Sequence, residues 1–211
     1  MRYGLGWISP SSSLTFSCLP HNLIIIIIVV VVMAPSLQGH IGFINTLELV
    51  EPNSLETVQL VWQEIVTEWF PGREGYRWSF KGPLPVNNNI PDVTVIQIRA
   101  ITPDPLTSRE WNERQILLIK CKGPSKDTPT IWDDTVNAQF HDDLVQTLNA
   151  SEKLFGAVAI GKKVRFYPFD GKAPIHQQLV QLHQGTIDMA TASGVTQVEN
   201  MMNYIKANAW Q

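Results

Sequence analysis

This sequence predicts an α/β fold with a mixed central sheet flanked by helices, on three observations. Stretches with the hydrophobic period of a helix alternate with short runs rich in β-branched residues. Two of those runs, residues 93–101 and 115–122, are apolar on both sides of the alternation, as strands at the centre of a sheet are. The order of elements is helix, three strands, helix, two strands, with further elements behind.

Each element has a local reason. Asn53 with Glu56 three residues on has the form of a capping box, and Pro52 stands just outside it. In the helix that follows, residues 54–70, Leu55, Val58, Val61, Trp62, Ile65 and Val66 form one stripe, continued by Trp69. Pro71-Gly72 ends it. Residues 76–80 alternate as a short strand, and a loop rich in Pro and Asn leads to Pro91, where a missing N–H costs least at a strand start. A polar turn over 102–114 separates the two central strands. After Gly123-Pro124, residues 130–149 repeat Trp132, Val136, Phe140, Leu144, Val145 and Leu148 at spacings of three and four. Residues 155–161 and 163–169 read as paired strands joined at Gly161-Lys162. Residues 175–183 fit a short helix or an edge segment, and 197–207 a terminal helix with Val198, Met201, Met202 and Ile205 inward.

The chain has 211 residues, 44% hydrophobic and 17% charged, which fits a packed domain rather than a disordered chain. The first 32 residues differ from the rest. They hold one charged residue, Arg2, and end in Leu23, five isoleucines and four valines. That run is shorter than the ~20 apolar residues a bilayer-spanning helix needs. Three readings are open: a translated trinucleotide repeat with Met33 as the true start, a signal or anchor segment, or genuine structure. Residues 33–211 are expected to form a single domain. One cysteine there, Cys121, makes no internal disulfide, so an intracellular site, cytoplasm or nucleus, is expected. Association with a membrane or secretion is the alternative if 23–33 acts as a signal or anchor.

Residues 90–101 and 115–123, I-P-D-V-T-V-I-Q-I-R-A-I and Q-I-L-L-I-K-C-K-G, put Asp92 at one strand start and Lys120-Cys121-Lys122 at the neighbouring strand end. This arrangement resembles the core of the PD-(D/E)XK nuclease superfamily, the restriction-endonuclease-like fold. It is similar in particular to a group of fungal proteins of unknown role with a strand reading like I-L-L-V-E-C-K-R-P-S before a Trp-containing helix. The resemblance implies an αβββαβ core spanning roughly 54–170. It implies Asp92 as the metal carboxylate, Lys122 as the lysine that orients water, and a glutamate where this chain has Lys120. Hydrolysis of a phosphodiester in such a site uses Mg²⁺ held by one or two carboxylates.

Lys120 changes the sign of that site. Alternation places Lys120 and Lys122 on one strand face, where two ammonium groups repel a dication, and one of them can pair with Asp92 instead. No cofactor is therefore expected, and Mg²⁺ only if a displaced acid rescues the site. Asp127, Asp133 and Asp134 are the nearest candidates, with Glu64 and Glu68 on the first helix behind them. On residues alone, Asp92 and Lys122 also fit an ordinary rim ion pair, worth ~0–1 kcal/mol when exposed.

The formal charge of −3 excludes the whole molecule as an electrostatic footprint for nucleic acid, so DNA or RNA contact requires a local patch. Lys120, Lys122, Lys126, Lys162, Lys163 and Arg165 are the candidates. His141 with Asp142 and Asp143 suggests a ligand set, and a solvated helix face is the plainer reading. The tryptophans read as packing rather than base-stacking platforms. Three functions stay open: a catalytically degenerate nuclease-like module that retains nucleic-acid contact, a metal-dependent nuclease using a displaced carboxylate, and a non-catalytic interaction or structural protein.

Overall fold

The computed structural model describes residues 34–52, 54–81, 93–103, 111–147 and 153–209. The chain divides into Met1–Met33 and Ala34–Gln211, and only the second unit is described. Its elements are α1 (Ile41–Glu48), α2 (Leu55–Trp69), β1 (Tyr76–Lys81), β2 (Val93–Pro103), β3 (Trp111–Lys122), α3 (Pro129–Asp134), a π-helical segment (Thr135–Phe140), α4 (His141–Thr147), β4 (Lys153–Ile160), β5 (Lys163–Asp170), β6 (Ile187–Asp188) and α5 (Ala192–Asn208).

Among the described residues, six strands form one mixed sheet in sequence order, β1 to β6. All neighbours are antiparallel except β3 and β4, which run parallel. A parallel pair needs a crossover, and α3, the π-helical segment and α4 supply it. The fold is thus α/β with a mixed sheet flanked by helices, as the alternation of periods predicts.

Two apolar layers follow from strand alternation. Ile96, Ile98, Leu117, Ile119 and Ala157 turn to one face, where they pack with Phe43 of α1, Trp62 and Ile65 of α2 and Met202 of α5. Val95, Leu118, Val158 and Tyr167 turn to the other and meet Trp132, Phe140 and Leu144 of the crossover. Trp62, Trp69 and Trp132 are packing residues, as expected. Cys121, on the first face, is fully buried.

The differences from the sequence reading are local. Asn53 lies outside the described residues. Ser54 is the cap of α2, its hydroxyl accepting from the Thr57 N–H at 3.3 Å, so Glu56 stands one position too early to close a capping box. The helix expected over 130–149 is α3 and α4 joined through π geometry. Positions four apart drift by about 40° per step around an α-helix. The wider π turn takes up that drift and brings Trp132, Phe140 and Leu144 to one side. Val145 falls off that side and is exposed. Phe140 can sit low because Gly156 faces it; a Cβ there would overlap the Phe140 ring. Helix α1 carries no strong periodic signal and is absent from the sequence reading, and α5 begins five residues earlier than expected. Of 175–183, only Ile175–Gln177 is a helical turn, and Leu179 bridges Phe169 as an edge segment.

A bulge between β2 and β3 shapes the polar face. Ile98 pairs with Leu117, but Arg99 pairs with Gln115, so Ile116 is the extra residue and turns into the apolar layer. Gln115 is thereby placed beside Gln97 and Arg99 on the crossover side.

Candidate functional site: the carboxyl end of β3

Strand β3 ends in Lys120, Cys121 and Lys122, with Val93 of β2 paired to Lys122 and Ile160 of β4 paired on the other side. Asp92 directly precedes Val93 in sequence and lies outside the described residues. Cys121 points to the α2 layer, and burial pushes its thiol far above the usual range.

Lys120 turns to the crossover face and is 5% exposed. Its ammonium donates to Asp143 Oδ2 at 2.6 Å, a carboxylate from the middle of α4 whose side chain is 27% exposed. This partner corrects the sequence reading, which put Asp143 on a solvated helix face; the pairing of one of the two lysines with Asp92 lies outside the described residues. The spacing of α4 holds the missed signal: Asp143 immediately precedes Leu144, which is buried against the sheet, and so lies at the margin of the packed face. His141 is not solvated either; its Nε2 lies 2.8 Å from Gln178 Oε1 and its ring stands edge-on to Phe169.

Lys122 is 8% exposed on the same strand face as Lys120. Its carbonyl accepts from the Gly161 N–H at 3.1 Å, which fixes the β4–β5 turn beside the end of β3. Gly161 adopts φ +59°, and a Cβ there would press on Pro124 at 3.0 Å, so the turn and the loop after β3 meet at a position that requires glycine. One rim therefore gathers the ends of β3 and β4 with Lys126, Lys162 and Lys163.

The carboxylates named as possible metal ligands are dispersed. Asp127 accepts from Lys163 Nζ at 2.6 Å and from the Trp132 indole N–H at 2.9 Å. Desolvation raises its pKa, but the Lys163 and Trp132 hydrogen bonds and the Lys163 and Arg165 charges outweigh that and hold it below the usual carboxylate range. Lys163 is raised in turn, first by its hydrogen bond to Asp127. Asp133 and Asp134 are exposed at the end of α3. Glu64 and Glu68 face α1, where His40 lies 4.0 Å from each. His40 Nδ1 accepts from the Phe43 N–H at 3.0 Å, so that nitrogen caps α1.

Among the described residues, no group of three or more His, Cys, Asp or Glu side chains could hold a metal ion. The described side chains at the end of β3 offer two ammonium groups where a dication needs hard oxygen ligands. Lys120 therefore does not fit the role of the motif glutamate.

The basic residues are brought together only in part. Arg165 stacks its guanidinium over the Trp132 ring, 4.4 Å from the centroid, and donates to Thr186 Oγ1 at 2.7 Å. Lys120 and Lys122 are buried, and Lys163 is paired. Lys126, Lys162 and Lys163 share the rim with Asp127 and with Asp188, which lines a hollow of about 230 Å³ beside Gly161 and Lys162. No family model, curated protein or solved structure matches the chain. No helix among the described residues is long and apolar enough to cross a membrane.

Proposed function

We propose that this chain is a catalytically silent relative of the PD-(D/E)XK nucleases whose site has been converted from metal chemistry to structure. The carrying observation is the 2.6 Å pair between Lys120 and Asp143. A cation occupies the position of the motif glutamate, and its counter-charge comes from the crossover helix. The order of helices and strands and the parallel pairing of β3 with β4 support an αβββαβ core. Residual contact with DNA or RNA runs through Lys126, Lys162 and Lys163 at the rim. Three phosphate contacts give a salt slope of about −2.7 on duplex DNA, much shallower than that of a dedicated binder.

The reading of a non-catalytic interaction protein has its own support. Lys120 is engaged by Asp143, Lys163 by Asp127 and Arg165 by Trp132, so at least three of the six basic candidates serve internal contacts.

The test is cleavage of labelled DNA and RNA by the full chain with Mg²⁺ or Mn²⁺. Lys120→Glu alone would set two carboxylates face to face, so the informative variant is Lys120→Glu with Asp143→Asn. The wild type is expected not to cut. Cleavage by the double variant, lost again with Asp92→Ala, would support both the kinship and the silenced site. Cleavage by the wild type that Asp92→Ala abolishes would overturn the silent-site reading in favour of a displaced acid. If neither cuts, and binding is insensitive to Lys162→Gln with Lys163→Gln, the interaction-protein reading replaces the nuclease kinship.

A further inference from the structure

On the crossover face of the sheet, at the corner made by β1, β2 and β3, lies a polar hollow that the reading above does not use. Its volume is about 320 Å³, and Gln97, Arg99, Glu113, Gln115 and Thr147 line it. Strand alternation puts three more residues on this face. Arg77 stands across from Arg99, Ser79 stands across from Gln97, and Trp111 lies two positions before Glu113 on β3. One strand period, ~7 Å, separates the Trp111 and Glu113 positions.

Trp111 is unlike the tryptophans of the core: Trp62, Trp69 and Trp132 are buried, and Trp111 is 66% exposed. A single exposed aromatic residue needs no explanation by itself. Here it borders polar groups of fixed direction. Arg99 donates through Nη1 to Glu113 at 3.0 Å, through Nε to Gln115 at 3.3 Å and through Nη2 to Gln97 Oε1 at 3.2 Å. Arg77 donates to the other Glu113 oxygen at 3.0 Å. These bonds hold the carboxylate and both amides in place, so a ligand would not have to order them.

One of these groups is left half satisfied. Gln97 is 7% exposed and its Oε1 is taken by Arg99, yet its Nε2 has no partner among the described residues. Polar groups that deep ordinarily have partners. Acceptors stand beside this donor. Thr147 gives its hydroxyl proton to the Asp143 carbonyl at 2.6 Å, so its oxygen can only accept from a ligand, and each Glu113 oxygen has a second acceptor site.

We infer that this corner binds a neutral glycan of β-1,4-linked pyranoses, one ring lying on Trp111 and the hydroxyls of its neighbour meeting Gln97, Glu113 and Thr147. A sugar hydroxyl both donates and accepts, which suits an amide donor set among acceptors. A pyranose with equatorial hydroxyls also presents a C–H face to an indole. A phosphate backbone suits the corner less, because Arg99 is fully engaged and a carboxylate stands at the centre. Trp111 and Lys122 are the two ends of β3, so this site and the rim are tested separately.

The experiment is saturation-transfer NMR on the full chain with cellohexaose, chitohexaose and, for comparison, a thymidine hexanucleotide. At least one glycan is expected to bind at millimolar concentration and the hexanucleotide more weakly. Trp111→Ala, at an exposed position, should weaken glycan binding about tenfold. Glu113→Gln keeps the side-chain shape and removes the charge; it should weaken the glycan and strengthen the hexanucleotide. No transfer from either glycan at millimolar concentration, or glycan binding that either substitution leaves unchanged, would overturn the inference. A hexanucleotide that binds more tightly than both glycans, and more tightly still to Glu113→Gln, would replace the glycan with single-stranded nucleic acid.

Discussion

Removing the charge of Asp143 tests the reasoning about β3 most directly. Lys120 and Asp143 have side-chain exposures of 6% and 27%. Breaking a buried ion pair by removing one partner costs ~3–5 kcal/mol, because the remaining charge is left without compensation. Asp143 is open enough for water to reach the vacated space, so the lower end applies, and Asp143→Asn should cost about 3 kcal/mol. For a domain of this size that is a fall in Tm of about 6–12 °C. Lys120→Met should cost far less, since a side chain of similar length without charge fits a site that is already apolar on both flanks, Val95 on β2 and Val158 on β4. With Lys120→Met in place, Asp143→Asn should then cost little, giving a coupling of about 2–3 kcal/mol in the double-mutant cycle. Urea denaturation of the four proteins measures it. Should Asp143→Asn cost less than about 1 kcal/mol and the two changes add within ~0.5 kcal/mol, Lys120 is solvated and its burial has been misjudged.

Other perturbations address packing and titration. Gly156→Ala should lose ~1–3 kcal/mol by overpacking against Phe140, seen as a lower urea midpoint at constant m, with Phe140→Leu restoring part of it. His183 is held below its ordinary pKa, first by desolvation and also by the Arg165 charge, against a backbone hydrogen bond to Gln184 that raises it. Its neutral ring accepts from the Phe166 N–H at 3.4 Å. A depressed folded pKa means stability that is whole above the unfolded value of ~6.5 and lost as pH falls through the folded one. Wild type should therefore lose more stability than His183→Gln between pH 7.5 and about 5; equal losses would exclude His183 as the cause. Cys121, fully buried with its thiol pushed far up, should resist Ellman's reagent in a Cys18→Ser background until the domain unfolds. Rapid labelling under native conditions would contradict its placement in the core.

Legibility in the sequence tracked the length over which a periodic signal persists. Helix α2 and strands β2 to β5 carry long apolar stripes, and the structure places them where the periods predict, except that β2 runs on to Pro103 and β3 begins at Trp111, inside the polar turn expected over 102–114, because cross-strand pairing extends the ladder beyond the apolar run. Helix α1 is only eight residues and leaves Ile41 and Ile44 exposed, so no stripe announces it. At the site, alternation correctly put Lys120 and Lys122 on one face, because strand period is a local property. The partner of Lys120 was not legible. Asp143 reaches Lys120 only through the π-helical segment and the height at which Gly156 seats Phe140, and neither is a property of the charged residues themselves.

On the proposed kinship, the same geometry would let a metal site be silenced without loss of the fold. A glutamate at position 120 would face Asp143, and two carboxylates confined between β3 and α4 need a cation between them. A lysine supplies that cation covalently and permanently. Its ammonium neutralises Asp143 and needs no metal to do so, while its aliphatic stem lies among Val95, Val158 and the crossover helix. On this argument Lys120 and Asp143 are one unit, and substitutions at either position are tolerated only in pairs that keep their joint charge near zero. Lys120→Glu with Asp143→Lys, which exchanges the partners, should thus fold better than Lys120→Glu alone, with thermal unfolding as the measure. A Tm for the exchanged pair no higher than for the single change would mean that the contact is incidental to the fold.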